Sequence, residues 1–333
     1  MQYIIMCGGD YSDQFITPKP LLEICGEKLV ERTIRLLKEN GIKNIAISTN
    51  NPLYDYLDVK KLHHDNDYIH DRFDTLKKSE HCWLNAYYPT NEPSCYLAGD
   101  VCWSNEAIKT IVETEVTDTM FFAIPGIFDN RQVEKIKPQR EPLGFKVVNQ
   151  EHFRRCINEI KELIDNGTFK VDPVSWTLYK VLNNQPIAYD NWNNEIFDKP
   201  GNLVRIDDYT MDIDSAKDIP LMEQVILREK MKEAKMVRIR LKEDLQCSKM
   251  ADVKEIVRAN IQNNEPNIIY NGDIILCTNE LGQYLDNKLD RDYKPGNNPM
   301  NRKIEMEILE VIPDKKEEKT SDEKPKRRTR KAK

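Results

Sequence analysis

The chain has 333 residues, of which 39% are apolar and 32% are charged. This length and composition can bury a sizeable core and suggest two domains, and they exclude collagen-like and low-complexity proteins. No stretch approaches the roughly 18 uncharged apolar residues of a membrane helix, and the opening residues MQYIIMCGG do not resemble a secretory signal. The eight cysteines include no CxxC pair. We therefore expect a reduced, cytoplasmic protein without a structural zinc site.

The charge is unevenly distributed along the chain. The formal net charge is −6, but residues 314–333 carry ten Lys or Arg and five Asp or Glu, a local +5, so residues 1–313 carry −11. An acidic body of this kind is a poor surface for nucleic acid. The tail has almost no apolar residues and is predicted to be disordered, with basic side chains that would suit an acidic partner.

Short apolar runs alternate with helical patterns over the first 125 residues. The predicted elements are, in chain order, a strand at Tyr3–Met6, a helix at Leu29–Asn40, strands at Asn44–Thr49 and Cys95–Ala98, a helix from Ser104 to about Glu115, and a strand at Thr119–Ile124. This alternation predicts an α/β fold. We expect a Rossmann-like, mostly parallel mixed sheet flanked by helices.

The pattern is looser after residue 130. The predicted elements are a helix at Gln150–Asp165, a helix after Pro173, a strand at Leu203–Ile206, and a long helix at Ser215–Lys235 with Asp214 as its N-cap. Further on they are a strand at Val237–Leu241, a helix at Met250–Ile261, a hairpin over Asn267–Cys277 that turns at Asn271 and Gly272, and a strand at Lys303–Ile312. The predicted domains are residues 1–235, a small α+β domain at 236–313, and the tail at 314–333.

Three segments carry residue types suited to phosphate chemistry. The first strand ends at Gly8 and Gly9, where glycines let backbone N–H groups approach a nucleotide, and Lys19 follows between two prolines. Asp100 comes directly after a buried strand, where ligands of open α/β sheets bind. Asp214 closes the Asp212-Ile213-Asp214 pair of carboxylates, which suits an oxygen ligand for Mg²⁺.

In this order, the three segments resemble the nucleotidyltransferases of sugar phosphates and phosphocholine, over roughly residues 1–225. The match is formed by Gly8, Gly9 and the run TPKPLLEICGEKLVERTI, then by Gly99-Asp100, then by Asp212-Ile213-Asp214. The resemblance implies transfer of a nucleoside monophosphate from an NTP to a phosphorylated small molecule, with release of pyrophosphate.

The resemblance also implies roles for individual residues. Lys19, Asp100 and Asp214 would be catalytic, with Mg²⁺ held by the two aspartates. Gly8, Gly9, Lys19 and Thr75 would bind the nucleotide, and Lys137 the acceptor phosphate. Two carboxylates that share one Mg²⁺ must lie within about 7 Å of each other, which leaves room for a coordinated water.

One position departs from the family pattern. An arginine usually follows the glycine loop, but here the stretch is Tyr11-Ser12-Asp13-Gln14-Phe15. Glutamine cannot reproduce the forked contact of arginine with phosphate, so either Lys28 or Arg32 replaces it, or triphosphate binding is weakened. The alternative function is therefore a catalytically weakened fold that acts as a binding or assembly module. A glycosyltransferase is the weaker interpretation, because the D-x-D pair lies late in the chain.

Overall fold

The computed structural model of the chain describes residues 1–8, 15–63, 84, 87–124, 141–166, 174–185, 202–231, 234–242, 244–246, 250–259, 268–288 and 306–313. The chain divides into two compact units, Met1–Ile226 and Leu227–Lys333. That residues 1–235 fold by themselves stays a prediction. The tail at 314–333 lies outside the described residues. Within the described part of the chain, no helix is long and apolar enough to cross a membrane.

The first unit contains eleven described strands and four complete helices. The strands are β1 Gln2–Met6, β2 Glu23–Ile24, β3 Glu27–Lys28, β4 Ile45–Ser48, β5 Lys60–Leu62, β6 Ser94–Ala98, β7 Val101–Cys102, β8 Thr119–Ile124, β9 Glu141–Val147, β10 Leu203–Arg205 and β11 Met211–Asp212. The helices are α1 Leu29–Glu39, α2 Asn105–Glu113, α3 Gln150–Asp165 and α4 Val174–Leu182. A fifth helix, α5 Asp218–Met231, contains the boundary between the two units.

Seven strands form one sheet in the order β10-β8-β9-β6-β1-β4-β5. The pairs β1/β4, β1/β6, β4/β5 and β8/β10 are parallel, and β9 is antiparallel to both of its neighbours. The predicted fold class, a mostly parallel mixed sheet flanked by helices, is confirmed. Strand β9 was not among the predicted elements. It lies very close to β6, because a Cβ atom at its Gly144 would be only 2.8 Å from the Tyr96 carbonyl oxygen.

The helices cover both faces of this sheet, and neighbouring residues of β1 show the alternation. Tyr3 and Ile5 pack with residues of α1 and α2, whereas Ile4 packs with residues of α3 and α4. Successive side chains of a strand point to opposite faces, and a parallel strand covered on both faces is therefore apolar throughout. This explains the uninterrupted run Tyr3–Met6 that the sequence displays.

The second unit is a small α+β unit. Its strands are β12 Ala234–Leu241, β13 Leu245–Gln246, β14 Val253–Val257, β15 Ile268–Ile269, β16 Ile274–Thr278 and β17 Met306–Pro313, and its helix is α6 Asn279–Lys288. Four strands form an antiparallel sheet in the order β14-β16-β12-β17, while β13 pairs with β15. Leu281 and Leu285 of α6 pack with Val237 and Ile239 of β12 in the core of this unit.

Two predictions for this unit are wrong. Residues of the predicted helix Met250–Ile261 form a short 3-10 turn, Met250–Asp252, and then strand β14. The β-branched residues of β14 find a partner in β16, and such pairing overrides a weak helical preference. The turn at Gly272 is real, with φ +87°, but β15 and β16 on its two sides join different sheets rather than each other. Helix α6 was not among the predicted elements. Its first turn is capped by Thr278, whose hydroxyl accepts from the Leu281 N–H.

Candidate active site

Lys19 lies on a short 3-10 turn, Lys19–Leu21, that begins after Pro18. The Leu21 N–H donates to the Pro18 carbonyl at 2.9 Å and the Leu22 N–H donates to the Lys19 carbonyl at 3.0 Å. Pro20 and Leu21 are buried, so the turn is anchored to the core on one side. The lysine side chain projects from this fixed turn and remains 21% exposed.

Gly99 holds the next segment close to this turn. Its N–H donates to the Met6 carbonyl at 3.1 Å, at the carboxyl edge of the sheet. A Cβ atom at Gly99 would lie 2.5 Å from the Met6 carbonyl oxygen and 3.1 Å from Pro20 Cγ. Only glycine fits at this distance, and the tight contact places Asp100, the next residue, beside the Lys19 turn.

Strand β11 brings Asp214 to the same place. It pairs antiparallel with β7, with Asp212 opposite Val101, and the Ile213 N–H donates to the Asp100 carbonyl at 3.0 Å. The predicted N-cap role of Asp214 is wrong, because helix α5 begins four residues later, at Asp218. The Asp218 carboxylate instead accepts from the N–H groups of Asp214 and Ser215, at 3.0 and 2.6 Å. The Asp214 carboxylate therefore does not cap α5.

The three side chains meet at Lys19. Its Nζ lies 2.9 Å from Asp214 Oδ1 and 3.5 Å from Asp100 Oδ2. Because both oxygens contact one atom, they cannot be farther apart than the sum of these distances, about 6.4 Å. This meets the distance condition for two aspartates that share one Mg²⁺, directly or through a coordinated water.

The positive charge of Lys19 and the negative charges of the aspartates stabilise each other. Burial alone would lower the pKa of Lys19, but Asp100, Asp214 and the nearly buried Asp212 outweigh it and raise that pKa. Burial would likewise raise the pKa of Asp214, yet the hydrogen bond and charge of Lys19 lower it. Lys19 is therefore an ammonium and Asp214 a carboxylate at neutral pH. The site thus places one ammonium beside two carboxylates.

A polar network next to the site was not predicted. The Ser104 hydroxyl donates to Asp208 Oδ2 at 2.5 Å and accepts from the Ala107 N–H at 2.8 Å, as the N-cap of α2. The Ser104 backbone N–H donates to the Thr210 hydroxyl at 3.0 Å, and the Thr210 N–H donates to Asp208 Oδ1 at 2.7 Å. These bonds fasten the segment before β11 to the segment after β7, so they help to hold Asp214 near Asp100. The sequence signal was the Ser104 cap alone.

The two cations suggested as substitutes for the loop arginine are engaged elsewhere. The Arg32 Nε donates to the Trp103 carbonyl at 2.9 Å, and one of its terminal nitrogens donates to the Tyr209 hydroxyl at 3.1 Å. The Lys28 Nζ donates to the Tyr56 hydroxyl at 3.2 Å and lies over the same ring. Their described partners thus do not include Asp100 or Asp214.

The remaining predicted site residues are only partly described. Gly8 is buried two residues after the end of β1, next to Cys7, whose N–H donates to the Ser48 carbonyl at 3.0 Å. Gly9, the stretch Tyr11–Gln14, Thr75 and Lys137 lie outside the described residues. Among the residues that the structure describes, no group of three or more His, Cys, Asp or Glu side chains is arranged to hold a metal. Mg²⁺ does not require such a cage, because it commonly binds through one or two carboxylates and substrate phosphates.

Comparison with known proteins finds similarity in structure only. No family model and no curated protein sequence matches the chain. Among solved structures, 4-diphosphocytidyl-2C-methyl-D-erythritol synthase from Anaerococcus prevotii is 14% identical, with a TM-score of 0.39, over 68% of this chain and 97% of that chain. CTP:phosphocholine cytidylyltransferase from Streptococcus pneumoniae is 16% identical, with a TM-score of 0.36, over 68% of this chain and 98% of that chain.

The second of these structures is a cytidylyltransferase, and the sequence motifs resemble a family of such enzymes. At this identity and TM-score, the similarity carries no argument about activity.

Proposed function

We propose that this protein transfers a nucleoside monophosphate from an NTP to a phosphorylated small molecule and releases pyrophosphate. The observation that carries the proposal is the contact of Lys19 with both Asp100 and Asp214, from segments far apart in the chain. An ammonium beside two carboxylates, at the edge where open α/β sheets bind ligands, is suited to a metal-bound triphosphate.

The donor set fits Mg²⁺. Asp100 and Asp214 supply carboxylate oxygens, the ligand type that hard divalent cations prefer, and their separation suits one ion. Both side chains are in part accessible, at 21% and 55% exposure, so substrate phosphates can complete the coordination. When bound, the metal would neutralise charge on the α-phosphate.

The chain's own residues position and stabilise the substrates. Lys19 would bind the β- and γ-phosphates and stabilise the negative charge that develops on the departing pyrophosphate. An oxygen of the acceptor phosphate attacks the α-phosphorus, and the bond from that phosphorus to the pyrophosphate oxygen breaks. No general base is needed, because a phosphate monoester is largely dianionic near pH 7.

The alternative function, a binding or assembly module without turnover, is separated from the enzyme by two measurements. A panel of NTPs with Mg²⁺ is tested for thermal stabilisation, where a ligand at 100 times its Kd adds about 2.7 kcal/mol. Pyrophosphate release is then measured with sugar phosphates and phosphocholine as acceptors. Stabilisation by one NTP together with pyrophosphate release supports the enzyme. Stabilisation without release by any acceptor supports the module.

A further inference from the structure

The Lys19 ammonium lies where the proposed metal would bind. Its Nζ is 2.9 Å from Asp214 Oδ1 and 3.5 Å from Asp100 Oδ2, the two carboxylates that supply metal ligands in the proposed function. The turn that carries Lys19 is anchored by buried Pro20 and Leu21. With the turn anchored, the flexible stem of Lys19 still allows its ammonium to rotate away from the carboxylates.

A divalent cation and this ammonium would bind the same two carboxylates, and the ammonium already contacts one oxygen of each. A metal ion about 2.1 Å from a carboxylate oxygen would sit next to an ammonium bound to that oxygen, and two cations so close repel strongly at a partly buried site. Lys19 is 21% exposed, so solvent screens this repulsion only in part. This repulsion opposes simultaneous contact of both cations with Asp100 and Asp214.

We infer that Lys19 and the divalent cation compete for Asp100 and Asp214, so that metal binding displaces the ammonium and releases it for the triphosphate. This inference rests on the proposed function and describes how its site is regulated. Metal and nucleotide binding are then coupled, because the metal frees the cation that the nucleotide uses. By linkage, the nucleotide strengthens metal binding to the same extent, since it holds Lys19 away from the carboxylates.

The first test is a Mn²⁺ titration of the full chain without nucleotide, with free Mn²⁺ followed by electron paramagnetic resonance. Mn²⁺ prefers the same oxygen ligands as Mg²⁺. Lys19→Met removes the ammonium and retains a long apolar stem, so the variant should bind Mn²⁺ about 10- to 100-fold more tightly, the equivalent of one charge-assisted hydrogen bond. The same variant should bind an NTP with Mg²⁺ more weakly than the wild type, so the two effects have opposite signs.

Lys61→Met is the matched control. The Lys61 Nζ is also ion-paired, with Asp55, and its side chain is 15% exposed, so this variant loses the same charge from a comparable surface. It should bind Mn²⁺ like the wild type. An equal gain in both variants would mean that net charge alone sets the affinity, which overturns the inference.

A second test needs no variant, so it tests the competition even if Lys19→Met does not fold. The wild-type protein is treated with an amine-reactive reagent, and labelling of Lys19 is followed by mass spectrometry. Mg²⁺ alone should increase the labelling rate of Lys19, because the displaced amine loses its carboxylate partners. An unchanged or decreased rate overturns the inference.

The outcomes separate the inference from the proposed function. If Lys19→Met binds Mn²⁺ no more tightly than the wild type, or if neither protein binds it, competition is wrong. Pyrophosphate release by the wild type would still support the proposed function. If competition is observed but no NTP yields pyrophosphate, the competition for Asp100 and Asp214 stands and the proposed function fails.

Discussion

At the scale of single residues, Lys19 contacts two carboxylates, and substitutions at this contact test the proposed chemistry. Lys19→Ala should lower kcat/KM by about 30- to 1000-fold, the equivalent of about 2–4 kcal/mol of transition-state stabilisation. Asp100→Asn retains the side-chain volume but removes the charge, so it should weaken Mg²⁺-dependent nucleotide binding. Activity is measured by pyrophosphate release and folding by circular dichroism. A fully active Lys19→Ala protein would exclude a catalytic role for this lysine.

Gly99 is a second residue whose environment permits one prediction. Gly99→Ala places a methyl group 2.5 Å from the Met6 carbonyl oxygen, which is backbone and cannot rotate away. We expect a loss of about 2–3 kcal/mol in the free energy of unfolding, as for other overpacked cores, measured by urea denaturation.

Gly41→Ala is the control for Gly99→Ala. Gly41 has φ +83°, and a Cβ atom added there would have no neighbouring atom within 4 Å, so alanine suffers only the left-handed backbone cost of about 1–2 kcal/mol. If Gly99→Ala is no more destabilising than Gly41→Ala, the close approach of Gly99 to β1 is not rigid.

At the scale of secondary-structure elements, the turn between β15 and β16 depends on one carboxylate. Asp273 is fully buried, accepts from the N–H groups of Ala259 and Tyr270, and pairs with Arg258 at 2.7 Å. Burial alone would raise the pKa of Asp273, but these bonds lower it below its ordinary value of 3.8. The stabilisation is therefore fully present above about pH 4 and is lost as the pH falls through the lowered pKa.

Asp273→Asn tests this dependence. At pH 7 the variant leaves Arg258 without its charged partner and should destabilise the second unit by about 2–3 kcal/mol. Because the wild type loses the same contribution in acid, the difference between the two proteins should shrink by pH 3, as followed by calorimetry. Asp244→Asn is the control, since this exposed carboxylate accepts one bond, from the Asn271 N–H, that asparagine can also accept. A difference that is independent of pH would contradict the role of the charge.

At the scale of the whole molecule, the boundary between the two units lies inside α5. Met222 and Ile226 pack in the first unit with Met211 and Ile213, while Leu227 and Met231 belong to the core of the second. A fragment of residues 1–231 contains every strand of the seven-stranded sheet and all of α5. It should be soluble and should melt in one cooperative transition. Aggregation, or melting without cooperativity, would indicate that the first unit needs the second to fold.

Local patterns in the sequence determined much of the first unit. The apolar run Tyr3–Met6, the helix that ends before Gly41, and the cap at Ser104 each depend on neighbouring residues, so sequence alone predicts them. The second unit was less predictable. There, strand β14 forms because β16 supplies hydrogen-bond partners, and that pairing is invisible in residues 250–261 themselves.

The candidate site, too, could be predicted from the sequence only in part. The sequence by itself determined which residue types are available: a lysine between prolines, an aspartate after a strand, and a late pair of aspartates. Only the tertiary structure decided that Lys19 contacts Asp100 and Asp214, which are 81 and 195 residues away in the chain. The pairing of β11 with β7 and the close packing of Gly99 on β1 create that contact. Such contacts depend on which strands pair and how tightly they pack, whereas the pattern along one segment encodes only that segment's own conformation.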